Sequence, residues 1–174
     1  MNIPAQKSGR EVTRGHLLAV FNRLLLAGDT PRPAVARIIA EAGVSRSTFY
    51  DHFDGVEALL NESLRTLLGE LADCLTGRQP VPRLEWLLAH IAENRGTARD
   101  FLTGSRGERA EATLARAISE RLEWDGDTRL AGILVGGTTI SALAAWVTGR
   151  VSADPETMAA SLQRSTQAIL TARP

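Results

Sequence analysis

Apolar residues recur along this chain in steps of three and four from one end to the other, the spacing of helix faces. No alternating run bounded by turn residues predicts a strand. Ser8-x-x-Glu11 has the form of a capping box. It predicts a helix with Leu17, Phe21, Leu24 and Leu25 among its apolar positions, ending at Gly28. Gly15 lies inside that helix, at a cost of roughly 1 kcal/mol relative to alanine. Pro31 and Pro33 bound a loop. A short helix from Ala34 to Ala42 stops at Gly43, and Ser45 caps a second one that runs to His52. Asp54 is placed to cap a longer helix with Val56, Leu60, Leu64, Leu67, Leu71 and Leu75 in register, ended by Gly77 and Pro80.

The second half continues in the same period. Pro82 opens a helix with Leu84, Leu87, Leu88 and Ile91 on one face. A short piece lies around Asp100 to Thr103. Ser105-x-x-Glu108 is a second capping box, before Leu114, Ile118 and Leu122. Asp127 precedes a stretch, Leu130 to Gly149, without a charged residue. Asp154-Pro155 is a cap followed by a first-turn proline, leading into Met158, Leu162 and Ile169. The fold class is therefore all-α, with about nine helices.

The uncharged stretch has the length of a membrane span, roughly 20 residues. Its glycines, threonines and Ser141 make it small and mildly polar, which is the pattern of a helix buried in protein. No membrane partner is expected. The first fifteen residues are polar and lack the apolar core of a secretory signal.

Composition narrows the classes further. A chain of 174 residues, 44% hydrophobic and 23% charged, is globular and long enough for a core without disulfides. Its single Cys74 excludes a disulfide framework and a multi-cysteine zinc site. The net charge of zero conceals an asymmetry. Residues 1–53 hold seven basic and four acidic side chains, and residues 54–174 hold 13 and 16. Such a split suggests two parts with different partners.

The most informative stretch is residues 34–53. Ile38 and Ala42 face inward from its first helix, Val44 plugs the turn at Gly43, and Phe49 and Phe53 hold its second helix from behind. Ser45, Arg46, Ser47, Thr48, Tyr50 and His52 form the remaining, polar face. A helix of this kind fits the major groove of double-stranded DNA. Arg46 and Ser47 are placed for base edges. Thr48, Tyr50 and His52 are placed for phosphate oxygens, which fix register rather than sequence. Arg37, on the preceding helix, is placed to cross the backbone or to be simply solvated.

The pattern Ile38…Ala42-Gly43-Val44-Ser45…Thr48-Phe49-Tyr50-x-His52-Phe53…Glu57-x-Leu59 resembles the DNA-binding signature of the tetracycline-repressor (TetR) family, over about residues 11–64. The resemblance implies a three-helix helix-turn-helix head, residues 1–54, and a C-terminal helical domain, residues 55–174, that dimerises and often binds a small molecule. It implies a cytoplasmic bacterial repressor released from a palindromic operator by its ligand. Two features depart from the family pattern. Val56 stands where a lysine or arginine is usual, and the Asp29–Pro33 loop is one residue longer and richer in proline. Lys7, Arg10 and Arg14 in the N-terminal arm are candidates to compensate through backbone contacts.

In the C-terminal part, Trp86, His90, Phe101 and Trp124 are candidates to line an apolar or aromatic ligand site, with ordinary core as the alternative. Trp146 carries the same pair of readings. Homodimerisation is expected through the last two helices, with Gly132, Gly136, Ser141, Ala142 and Ala145 allowing close approach. His90-x-x-Glu93 alone is too little for a metal site. Cys74 is read as a small buried hydrophobe or a thiol sensor. No cofactor and no enzymatic activity are expected, because the three histidines fall in three different helices and no phosphate loop or nucleophile elbow is present. The competing reading is a TetR-like dimer without inducer or operator binding, acting through protein contacts.

Overall fold

The structure is a computed structural model that describes residues 9–26, 33–123 and 126–172. Within them the chain forms nine helices and no strand. They are α1 (Gly9–Leu26), α2 (Val35–Ala42), α3 (Arg46–His52), α4 (Val56–Leu75), α5 (Val81–Glu93), α6 (Arg95–Leu102), α7 (Gly104–Ser119), α8 (Thr128–Val147) and α9 (Pro155–Thr171). Ser8, Lys7, the Asp29–Arg32 stretch and Trp124 lie outside the described residues. The chain divides into two compact units, one ending at Leu64 and the other beginning at Arg65.

In the first unit, Leu17, Phe21, Ile38, Phe49 and Leu59 are fully enclosed, and Val20, Leu24 and Phe53 are nearly so. The unit extends past the 54/55 boundary drawn from sequence because the first turns of α4 are tied to α1. Ser63, buried to 2% exposure, donates its hydroxyl to Asn22 Oδ1 at 2.5 Å. One residue closer to the start of α4, the Glu62 carboxylate lies 3.6 Å from the Arg14 guanidinium. Asp54 was expected to cap α4. The chain instead spends Asp54 and Gly55 on the bend after α3, and α4 begins at Val56.

In the second unit, α8 is the central helix. Nine of its residues are buried, among them Val135, Ile140, Leu143 and Trp146. Its Trp146 indole donates to Ala153 O at 2.9 Å, so this ring is core. By length and composition α8 would suffice to cross a bilayer, yet half of that window is buried inside the protein, as in a core helix. The cap read from sequence at Asp154 forms as expected, its carboxylate accepting from the Thr157 N–H. Asp127 also caps α8, accepting from the N–H groups of Arg129 and Leu130.

Three expectations are corrected here. Gly132 and Gly136 do not lie open for a partner helix. They face α7 of the same chain, where a Cβ on Gly132 would fall 2.4 Å from Ala115 O and one on Gly136 3.0 Å from Ala115 N. Ser105 does not cap α7, which starts one residue earlier, at Gly104 after Thr103. The Thr103 hydroxyl turns back to Arg99 O at the end of α6. Finally, Leu67 leaves the apolar register of α4 and is 42% exposed, while Leu68, Leu71, Ala72 and Leu75 are buried.

Candidate nucleic-acid interface

The geometry of α2 and α3 follows from a few residues. Gly43 ends α2 at φ 63°, ψ 30°, a left-handed conformation that a side chain disfavours. Its N–H reaches Ala40 O, and the Val44 N–H reaches Ile39 O, so the last carbonyls of α2 are satisfied as the chain reverses. Ser45 then starts α3. Its Oγ accepts from the Thr48 N–H at 3.0 Å and lies 2.8 Å from both the Ser47 and Thr48 hydroxyls. This network fixes the first turn of the helix.

Along α3 the two sides differ sharply. Phe49 is fully buried, Phe53 is 3% exposed, and their rings stand 6.3 Å apart. Ser45, Arg46, Ser47 and Tyr50 are exposed, while Thr48 and His52 are half-buried. All seven residues singled out for DNA are thus accounted for: six lie in or at the start of α3, and Arg37 is exposed on α2. Tyr50 packs edge-on against Phe49, with ring centroids 5.3 Å apart, and the Arg46 guanidinium lies 5.6 Å from the centre of the Tyr50 ring.

Sequence reasoning missed what holds the far end of α3. Arg10 and Arg14 lie within α1, and both guanidiniums donate to the last carbonyls of α3: Arg10 to Asp51 O at 3.0 Å, Arg14 to His52 O at 2.7 Å. Arg14 also lies over the Phe53 ring at 4.3 Å. His16, two residues on, is 3.1 Å from Ala42 O at the end of α2. A carbonyl only accepts, so Nε2 carries the proton in that bond. Three side chains of α1 therefore cap both helices of the turn at their negative ends. The i, i+4 spacing of Arg10 and Arg14 was the available signal, but a basic side chain near an N-terminus reads equally well as a DNA-binding arm. A shallow polar cleft of about 380 Å³ opens beside them, lined by Gly9, Arg10, Thr13, Asp51 and His52.

The ligand candidates of the second unit are dispersed. Trp86 is 52% exposed on α5, with the Arg83 guanidinium 4.1 Å from its ring centre and the His90 ring stacked on it at 5.4 Å. Phe101 lies on α6, with Arg106 5.7 Å from its ring centre. Among the described residues no group of three or more His, Cys, Asp or Glu could hold a metal ion. Burial pushes the Cys74 thiol up from its ordinary value, and the nearby Glu70 carboxylate adds to the effect. That disfavours the thiolate a sensor would use.

Residues 24–63 match the family profile described as "Bacterial regulatory proteins, tetR family". No curated protein matches the chain. Among solved structures, it is similar to a protein from Mesorhizobium loti classed as a TetR-family transcriptional regulator, at 17% identity over 94% of this chain and 98% of that one, with a TM-score of 0.52. It also aligns with a TetR transcriptional regulator from Streptococcus agalactiae, at 21% identity over 92% and 94% of the two chains, with a TM-score of 0.49. The Mesorhizobium likeness concerns the fold, and the profile match covers the helix-turn-helix itself. With α3 framed as described, the likeness to the tetR family of bacterial regulatory proteins lies in residues 24–63, from the end of α1 through α2 and α3 into α4.

Proposed function

We propose that this protein is a transcriptional regulator of the tetR family: a cytoplasmic, homodimeric repressor that binds a near-palindromic operator and leaves it when a small apolar or aromatic molecule binds the C-terminal domain. In this reading, the first unit, to Leu64, forms the reading head and the second, from Arg65, the dimerisation and ligand part. Arg46 and Ser47 meet base edges in the major groove. Ser45, Thr48, Tyr50, His52 and Arg37 meet the sugar–phosphate backbone. The observation that carries the reading is the two-sidedness of α3: its phenylalanines are buried and its hydroxyls and guanidinium are turned outward. A short helix presented this way, with its last carbonyls capped from α1, suits entry into a groove.

The dimer is assigned to α8 and α9. Leu130, Ile133 and Leu134 are 53, 56 and 48% exposed on one side of α8, an apolar strip that a second copy would cover. Two-fold symmetry in the dimer would then be mirrored in the operator. Trp86, His90 and Phe101 remain the ligand candidates.

Replacing Arg46 by alanine tests the assignment of α3. Base preference, read by sequencing duplexes selected from a random pool, would relax at one position per half-site, at a cost of about 1–3 kcal/mol. Unchanged affinity and preference would remove α3 as the reading helix. The half-buried Val56, in place of the usual basic residue, favours a second reading: a dimer that acts through protein contacts. Salt-sensitive binding to DNA separates the two.

A further inference from the structure

We infer that the Tyr50 ring aims Arg46 at its base, which makes Tyr50 a positioning residue for sequence specificity in addition to any contact of its hydroxyl with phosphate. The inference rests on the proposal that Arg46 reads a base edge.

Arg46 and Tyr50 stand four residues apart on α3, so both lie on one face of the helix. The ring is itself held in place: Phe49 is fully buried, and Tyr50 packs against it at an interplanar angle of 87°, the edge-to-face arrangement aromatic pairs favour. The core therefore fixes the ring, and the ring offers a face to the guanidinium. The separation of 5.6 Å lies within the range of cation–π attraction. The hydroxyls of Ser45, Ser47 and Thr48 are tied to one another by the cap network. Arg46 is the long, flexible side chain at this end of the helix.

An exposed arginine samples many rotamers, and binding must freeze one of them. Bidentate reading of a guanine needs the planar fork held in one orientation. A ring that restrains the fork before DNA arrives reduces that ordering cost, and the gain appears only at the base Arg46 contacts. Loss of a phosphate contact, by contrast, lowers affinity for all sequences alike.

The test compares Tyr50→Phe, Tyr50→Leu and Arg46→Ala by per-position base preference, using duplexes selected by the wild type from a random pool. Tyr50→Phe keeps the ring and is expected to hold the preference while binding all duplexes more weakly. Tyr50→Leu is expected to lose about two- to fivefold in discrimination at the position that Arg46→Ala also relaxes. Preference held in Tyr50→Leu but lost in Arg46→Ala would overturn the inference and leave the reading of α3 intact. Preference held in Arg46→Ala would remove both. NMR of the DNA-free protein provides a check independent of binding. The Arg46 side-chain protons are expected upfield by ring current in the wild type and in Tyr50→Phe. Their random-coil position in the wild type would also overturn the inference.

Discussion

Two glycine-to-alanine substitutions on helices of the second unit are expected to act with opposite sign. On α8, Gly132 meets the backbone of α7: an added Cβ would stand 2.4 Å from Ala115 O and 2.2 Å from Ser119 Oγ. The serine is held by bonds to Ala115 O and Thr128 O, both at 2.9 Å, and the carbonyl belongs to a helix. Neither yields without moving α7 away from α8. Such overpacking costs about 1–3 kcal/mol, against a helix-propensity gain of about 1 kcal/mol for replacing glycine. Gly132→Ala is therefore expected to destabilise by up to about 2 kcal/mol. On α6, Gly96 has nothing within 4 Å of the added atom. Gly96→Ala keeps only the gain, about 0.4–1 kcal/mol. Urea unfolding of both variants at one fixed protomer concentration, followed by circular dichroism, reads the difference as a shift in midpoint at constant m. If Gly132→Ala matched or exceeded the stability of the wild type, the α7–α8 contact described above would be wrong.

Other expectations follow from the same geometry. Ile133→Glu places a charge in the exposed strip of α8 and is expected to shift the protein toward monomer in sedimentation at micromolar concentration; an unchanged dimer would move the interface elsewhere. The Cys74 thiol, 2% exposed and raised in pKa, is expected to react with a thiol reagent far more slowly in native protein than in urea, with equal rates counting against its burial. Asp154 is held below the usual carboxylate range, first by the Thr157 N–H and then by the Thr157 hydroxyl. A lowered folded-state pKa contributes stability above the unfolded value, about 3.9, and loses it as pH falls through the folded one. The advantage of the wild type over Asp154→Ala should thus be constant from neutral pH down to that value and shrink below it; an advantage unchanged under acid would refute the cap.

What was legible in the sequence was local. Gly43, Ser45 and the buried Ile38, Phe49 and Phe53 act within a few residues of one another, and so their roles could be read from spacing. The cap at Asp154 is local for the same reason. What escaped reading depends on residues distant along the chain. The Arg10 and Arg14 bonds to α3 span about forty positions, and nothing in their spacing names the acceptor. The small residues of α8 announced a close helix contact correctly, but spacing could not say whether the second helix belonged to the same chain. Ala115 answers that question, and only the fold brings it to Gly132. Trp86 shows a third limit, since an aromatic residue at helical spacing reads as core until its 52% exposure is seen.

The central claim is that the outer face of α3 binds DNA in a sequence-dependent way. Fluorescence anisotropy tests it most directly, using tiled duplexes from the region upstream of the protein's own gene, a duplex selected from a random pool, and a random duplex as control, each at two salt concentrations. The account predicts that at least one near-palindromic duplex binds well above the random control and weakens steeply with salt. Binding no tighter than to random duplex, for every duplex and at both salts, would contradict it.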